Sequence, residues 1–203
     1  SSGRLPPGLT GHGMAVETGQ FSPNGSVVVT AGHDGTARVW DVQSGRLQHT
    51  LVGHRERVTA ATFSRDGRRI LTASWDRSAR IWDAASGRLL RVLVGHNARL
   101  NLAAFTADGG RVATAGWDQS VRLWNVGEPQ PGQDTGPPTL GADGAPLAPS
   151  AQPVMETPPV VLPHEQLIQA LMFSPDGAWL ATAGANGMLK LWDARSGTLK
   201  AKL

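Results

Sequence analysis

Apolar and β-branched residues come in short runs along this chain, with polar and glycine-bearing turns between them. One stretch reads RVTAATF (57–63), Arg65-Asp66-Gly67, RRILTA (68–73), SARIW (78–82), Ser86-Gly87 and RLLRVLV (88–94). Runs of this length, rich in Val, Ile and Thr, suit a pleated and partly buried surface. Asp-Gly between two such runs closes a hairpin, because both residues tolerate positive φ. No long segment carries the 3.6-residue period of a helix. The pattern predicts an all-β chain built from units of four antiparallel strands, a to d.

The unit recurs. Trp40-Asp41, Trp82-Asp83, Trp124-Asn125 and Trp192-Asp193 stand at intervals of 42, 42 and 68 residues. Gly11-His12, Gly53-His54, Gly95-His96 and Pro163-His164 keep the same intervals. Phe21, Phe63, Phe105 and Phe173 each open a similar turn: FSPNG, FSRDG, FTADG and FSPDG. A period of about 40–45 residues with Gly-His and Trp-Asp marks is the signature of WD repeats, and the chain resembles that family over nearly its whole length. The resemblance implies β-propeller blades of four antiparallel strands. The units are blade 1 at 11–52, blade 2 at 53–94, blade 3 at 95–162 and blade 4 at 163–203.

Each unit also carries a Thr and an acid or amide at fixed distance before its Trp. The sets are His12, Thr30, Asp34, Trp40; His54, Thr72, Asp76, Trp82; His96, Thr114, Asp118, Trp124; and His164, Thr182, Asn186, Trp192. They match the structural tetrad of the family, which implies bonds from Trp to Thr, Thr to His, and His to Asp. The residue types suit those roles: indole only donates, hydroxyl does both, and neutral imidazole offers one of each. Asn186 can accept without charge, so a weaker fourth network is expected. A triad with Thr as nucleophile would need one exposed site rather than a set in every unit. Each set offers at most two metal ligands, so no metal and no cofactor is expected.

The first residues, SSGRLPPGLTGH, align with SGRLQHTLVGH and SGRLLRVLVGH, so residues 1–10 read as strand d of a further blade upstream. The chain ends on another strand d, SGTLKAKL. Five d strands against four a–b–c units suggest four blades forming an open arc of a larger ring, the other blades supplied by the same full-length chain. A four-bladed ring with a frayed first segment is the alternative. The longer third interval reflects an insertion at about 126–158, between strands c and d of blade 3. Nine of the 14 prolines lie between Pro129 and Pro159, which marks it as a flexible loop.

Composition narrows the chemistry. The absence of Cys removes disulfides, thiolate metal sites and cysteine nucleophiles. The pI of about 10.2 overstates the basicity, since the formal charge is only +3 and the chain has no Tyr or Cys to titrate between His and Lys. Arginines cluster in the second unit, whereas no Lys or Arg occurs between Leu123 and Leu189. A nucleic-acid surface needs a basic stripe along the domain, so no nucleic-acid partner is expected. No apolar run approaches the roughly 18 residues of a membrane helix, so no membrane partner is expected. A cytoplasmic location is the expectation, and the Ala/Gly/Arg-rich repeats suggest a bacterial protein.

In WD-repeat proteins partners dock mostly on the face carrying the b–c and d–a turns. The residue before each tetrad acid points there: His33, Trp75, Trp117 and then Ala185. Arg57 with Thr59 and Arg99 with Asn101 begin strands a nearby. Aromatic and Arg side chains are the commonest binding hot spots. These residues predict a surface for a protein or peptide, one with acidic or aromatic character. Arg38, Arg80, Arg122 and Lys190, two before each Trp, read as edge charges that keep strands soluble. The leading expectation is a non-catalytic protein-interaction scaffold. The alternative is a regulatory or sensor propeller segment of a larger signalling enzyme such as a bacterial protein kinase, although the chain itself has no kinase motif.

Overall fold

The computed structural model describes residues 10–127 and 158–203. The expected upstream strand at 1–10 and the Pro-rich insertion at about 126–158 lie, apart from their edges, outside the described residues. Sixteen strands form four antiparallel sheets, each a meander in chain order, and the described residues contain no helix. The first sheet holds β1 (Val16–Phe21), β2 (Val27–Gly32), β3 (Ala37–Asp41) and β4 (Leu47–Leu51). The second holds β5 (Val58–Phe63), β6 (Arg69–Ser74), β7 (Ser78–Asp83) and β8 (Leu89–Val94). The third holds β9 (Leu100–Phe105), β10 (Arg111–Gly116), β11 (Ser120–Asn125) and β12 (Val160–Pro163). The fourth holds β13 (Ile168–Phe173), β14 (Trp179–Gly184), β15 (Leu189–Asp193) and β16 (Leu199–Lys202). These sheets have the form of propeller blades, set in an arc that is not closed into a ring.

The a–b hairpins turn where the sequence has Asn-Gly or Asp-Gly, or in one case Asp-Gly-Gly. Gly25, Gly67, Gly109 and Gly177 take φ of 69°, 73°, 69° and 71°, a conformation open to glycine at little cost. The b–c turns divide two ways. Blades 1 and 4 place Gly35 and Gly187 at positive φ, whereas blades 2 and 3 place Arg77 (φ 70°) and Gln119 (φ 59°) there.

Sheets are face to face, and the core lies between them. Blade 1 presents Val29, Ala31, Ala37, Val39 and Leu51 to Val58, Ala61, Phe63, Ile70 and Trp82 of blade 2. Equivalent layers join blades 2 and 3, and blades 3 and 4. The pleat explains why neighbouring residues serve different layers, since Ile70 faces blade 1 and Leu71 faces blade 3. Phe63 is 8% exposed in such a layer, while its counterpart Phe21 in blade 1 is 63% exposed.

Polar bonds latch the blades together as well. Gln20 Oε1 accepts the Phe63 N–H at 2.7 Å, and His49 Nε2–H donates to Ala85 O at 2.8 Å. Arg69 of blade 2 donates to Gly109 O at 2.8 Å and Gly127 O at 3.0 Å in blade 3. Arg111 of blade 3 donates to Ala194 O of blade 4 at 2.6 Å.

The edge-charge reading of Arg38, Arg80, Arg122 and Lys190 is corrected. All four stand on strand c, which is hydrogen-bonded on both sides by b and d. Lys190 is buried, and Arg38, Arg80 and Arg122 are half-buried. The guanidinium groups of the three arginines lie against Gly11, Gly53 and Gly95, where a Cβ would meet them at 3.0 Å or closer. That contact is a physical reason for glycine before His12, His54 and His96.

Candidate functional site

The first three tetrads are continuous bonded chains. Trp40 Nε1–H donates to Thr30 Oγ1 at 2.8 Å, Thr30 donates to His12 Nε2 at 2.8 Å, and His12 Nδ1–H donates to Asp34 at 3.0 Å. The same distances are 2.9, 2.8 and 2.8 Å for Trp82, Thr72, His54 and Asp76. They are 2.8, 2.8 and 2.9 Å for Trp124, Thr114, His96 and Asp118. Because indole can only donate, the hydroxyl proton goes to Nε2, and the histidine proton must sit on Nδ1. The acid gathers further donors from both turns. The backbone N–H groups of Gly13, Arg55 and Asn97 reach it at 3.0, 3.1 and 3.0 Å. The hydroxyls of Thr36, Ser78 and Ser120 reach it at 2.7, 2.6 and 2.8 Å. These hydroxyls were missed in the sequence, although Ser or Thr two residues after the acid is a visible signal.

Burial pushes the Asp76 carboxyl up, but the His54 bond and charge, Ser78 and the Arg55 N–H outweigh it and hold it well below the usual range. Burial likewise raises Asp34, yet Thr36, Gly13 and His12 bring it down to about 2. Burial pushes His54 and His96 down against the pull of Asp76 and Asp118, and it pushes His164 down too. A histidine with a depressed folded pKa stabilises the fold fully above its unfolded value of about 6.5, and less as pH falls through the folded value. Urea midpoints are therefore expected to be level from pH 8 to 7, to fall between pH 6.5 and 5, and to fall again below pH 4 as the acids protonate. A midpoint that rose between pH 7 and 5 would contradict buried neutral histidines.

The fourth set departs further than a weakened copy. Trp192 donates to Thr182 at 2.9 Å, and Thr182 to His164 at 2.7 Å. There the chain stops: His164 Nδ1 turns to Leu162 O at 3.2 Å, and Asn186 Oδ1 accepts Met188 N–H at 3.2 Å. An uncharged amide does not hold the imidazole against a backbone carbonyl. In the other sets the threonine hydroxyl is closed between indole and imidazole; Thr72 and Thr114 are fully buried and Thr30 is half-buried. Among the described residues no three His, Asp or Glu side chains converge as metal ligands.

On the turn face, four side chains of blades 2 and 3 form a ladder. The Arg57 guanidinium lies 3.7 Å from the Trp75 ring centre, and Arg99 lies 4.0 Å from the same ring. Arg99 is also 4.9 Å from the Trp117 ring. Trp75 is half-buried by these contacts, and Trp117 is 50% exposed. The backbone N–H groups of Trp75 and Trp117 donate to Arg57 O at 3.1 Å and Arg99 O at 2.9 Å, which fixes each turn against its strand-a start. Arg77 and Gln119, the two non-glycine residues at positive φ among the described residues, stand exposed two residues after each tryptophan.

The other residues expected to meet a partner are placed differently. Thr59 Oγ1 donates to Leu100 O at 2.9 Å, and Asn101 Nδ2 donates to Ile168 O at 2.8 Å. Both thus join one innermost strand to the next. His33 Nε2 sits 2.5 Å from Glu17 Oε2, so blade 1 carries an imidazole–acid pair where blades 2 and 3 carry indole and guanidinium.

Comparison with known proteins follows the same division of the chain. The family described as WD domain, G-beta repeat matches residues 4–41, 45–83, 87–125 and 157–193. No curated protein matches the chain. Four matched repeats, three complete bonded tetrads and four four-stranded sheets agree: the chain belongs to the WD-repeat family.

Proposed function

We propose that this chain is a non-catalytic scaffold that docks an acidic protein or peptide segment on the turn face of blades 2 and 3. Repeats of this family generally mediate protein–protein interaction. The observation that carries the reading is the state of Arg57 and Arg99. Each is stacked on indole, and neither has an ion pair among the described residues. A stacked guanidinium keeps its planar edge of N–H donors free for a carboxylate. The stack also fixes the side chain before binding, which lowers the ordering cost on association. Left-handed backbone at Arg77 and Gln119, held in the same two turns, is the kind of strain that collects at binding sites.

The test is direct. Asp- and Glu-rich peptides on an array should bind the chain, and the best binder should lose at least about tenfold in affinity to the Trp75→Ala, Trp117→Ala double variant. The melting temperature should change little, because Trp117 is half exposed and neither ring belongs to a core layer. Replacing Arg99 alone should loosen both stacks and weaken binding more than replacing Arg57. Unchanged affinity in the double variant would return both tryptophans to a packing role.

A further inference from the structure

The fourth blade differs from the others at one connected set of positions. In blades 1 to 3 the tetrad acid receives the N–H after the histidine, the histidine Nδ1–H and a hydroxyl. It also serves a strand-c arginine: Arg38 lies 3.7 Å from Asp34, and the charge of Asp76 steadies Arg80. Blade 4 keeps the donors without the acid. The Glu165 N–H, equivalent to those of Gly13, Arg55 and Asn97, has no acceptor among the described residues. His164 Nδ1 has only a 3.2 Å contact to Leu162 O. Lys190 replaces the arginine and is 7% exposed, with its ammonium 3.3 Å from Pro163 O. Its nearest carboxylate oxygen, Glu165 Oε1, is 3.9 Å away on a side chain that is 70% exposed and also lies 3.8 Å from Lys202.

His164, Gln166, Asn186, Met188 and Lys190 line a small pocket at this point, open to solvent. It admits about one water-sized sphere. That leaves room for one acceptor oxygen at the donors, with the rest of the bound group facing solvent. A carboxylate accepts from several donors at once, and its bonds to cationic donors are the strong ones.

We propose that the turn end of blade 4 is a carboxylate-binding subsite. An incoming carboxylate takes the role that Asp34, Asp76 and Asp118 play in the other blades, accepting from the Glu165 N–H and the His164 Nδ1–H and pairing with Lys190. The subsite is independent of the Arg57 to Trp117 ladder and shares no residue with it. Glu165 is its internal competitor, since its side chain is the one acid already near Lys190 among the described residues.

The experiment is a titration of the full chain, labelled with ¹⁵N, with sodium formate against sodium chloride at matched ionic strength. The Glu165 amide signal is expected to move downfield with saturation in formate and to stay in place in chloride. Asn186→Asp should place that signal downfield before any formate is added and abolish the titration. Lys190→Met should weaken formate binding several-fold, and Glu165→Gln should tighten it. A capped Gly-Asp-Gly peptide separates the two sources of the carboxylate. Binding tighter than formate marks a protein side chain as the occupant, and weaker binding marks a free small acid. A linear drift of the Glu165 signal, equal in formate and chloride or unchanged in the Asn186→Asp variant, would overturn the proposal.

Discussion

Replacing His54 with alanine is expected to lower the unfolding free energy by about 3 kcal/mol, near the lower end of the loss for breaking a buried ion pair or its hydrogen-bonded equivalent. His54 and Asp76 have side chains only 1% and 8% exposed. Alanine leaves Asp76 ionised and poorly hydrated, although the Arg55 N–H and the Ser78 hydroxyl still serve it. It also leaves the Thr72 hydroxyl proton without its acceptor at a fully buried site. The same change at His164 should cost less, about 1–2 kcal/mol, since it also takes the acceptor from the buried Thr182 hydroxyl but strands no charge. Urea denaturation of both variants makes the comparison. Equal losses would show that imidazole packing, rather than the acid it faces, sets the stability of a blade. Binding at the Arg57 to Trp117 ladder should survive in His54→Ala at temperatures where the variant is folded, because the tetrad bonds do not include the ladder side chains.

The tetrads were legible in the sequence because each bond is fixed by side-chain type and by spacing within one blade. Trp82, Thr72, His54 and Asp76 must meet once the strands pair in register. What happens between blades was less legible. Thr59 and Asn101 have the offset of a docking residue, but the neighbouring innermost strand offers each of them a carbonyl first. Arg99 pairs with Asn101 at the strand-a start of blade 3 in the sequence, yet its guanidinium lies closer to Trp75 of blade 2 than to Trp117 of its own blade. Linear spacing carries no information on how far one blade leans toward the next. The strand-c basic residues were misread for a related reason. Offset from Trp locates them on a strand without showing that strand b and strand d flank it. Asn186 was read as an uncharged acceptor for His164, and the competition it loses, to Leu162 O, depends on a backbone position that only the fold supplies.

Arg69 is where between-blade contacts should have their largest energetic effect. In the sequence it is one of nine arginines in the second unit, with nothing to set it apart. In the fold it is 4% exposed and bridges blade 2 to two carbonyls of blade 3, with its guanidinium 5.3 Å from the Phe105 ring. The residue at the same place in blade 1 is Val27, and Gln20 and His49 supply the polar latches from that blade instead. Arg69→Met keeps most of the stem packing and removes the donors, so Gly109 O and Gly127 O both lose a charged partner. Bonds to charged groups contribute roughly 1.5–3 kcal/mol each when well formed, and the two share one guanidinium, so the expected loss is about 2–3 kcal/mol. Arg69 holds the peptide groups of Gly109 and Gly127 through their carbonyls, so the loss should be accompanied by faster amide exchange at Gly109 and Gly127 than at Gly67 or Gly177. Hydrogen exchange followed by mass spectrometry reads that pattern. If exchange rose evenly over all four blades, Arg69 would be acting on the whole arc rather than as a latch between two of its members.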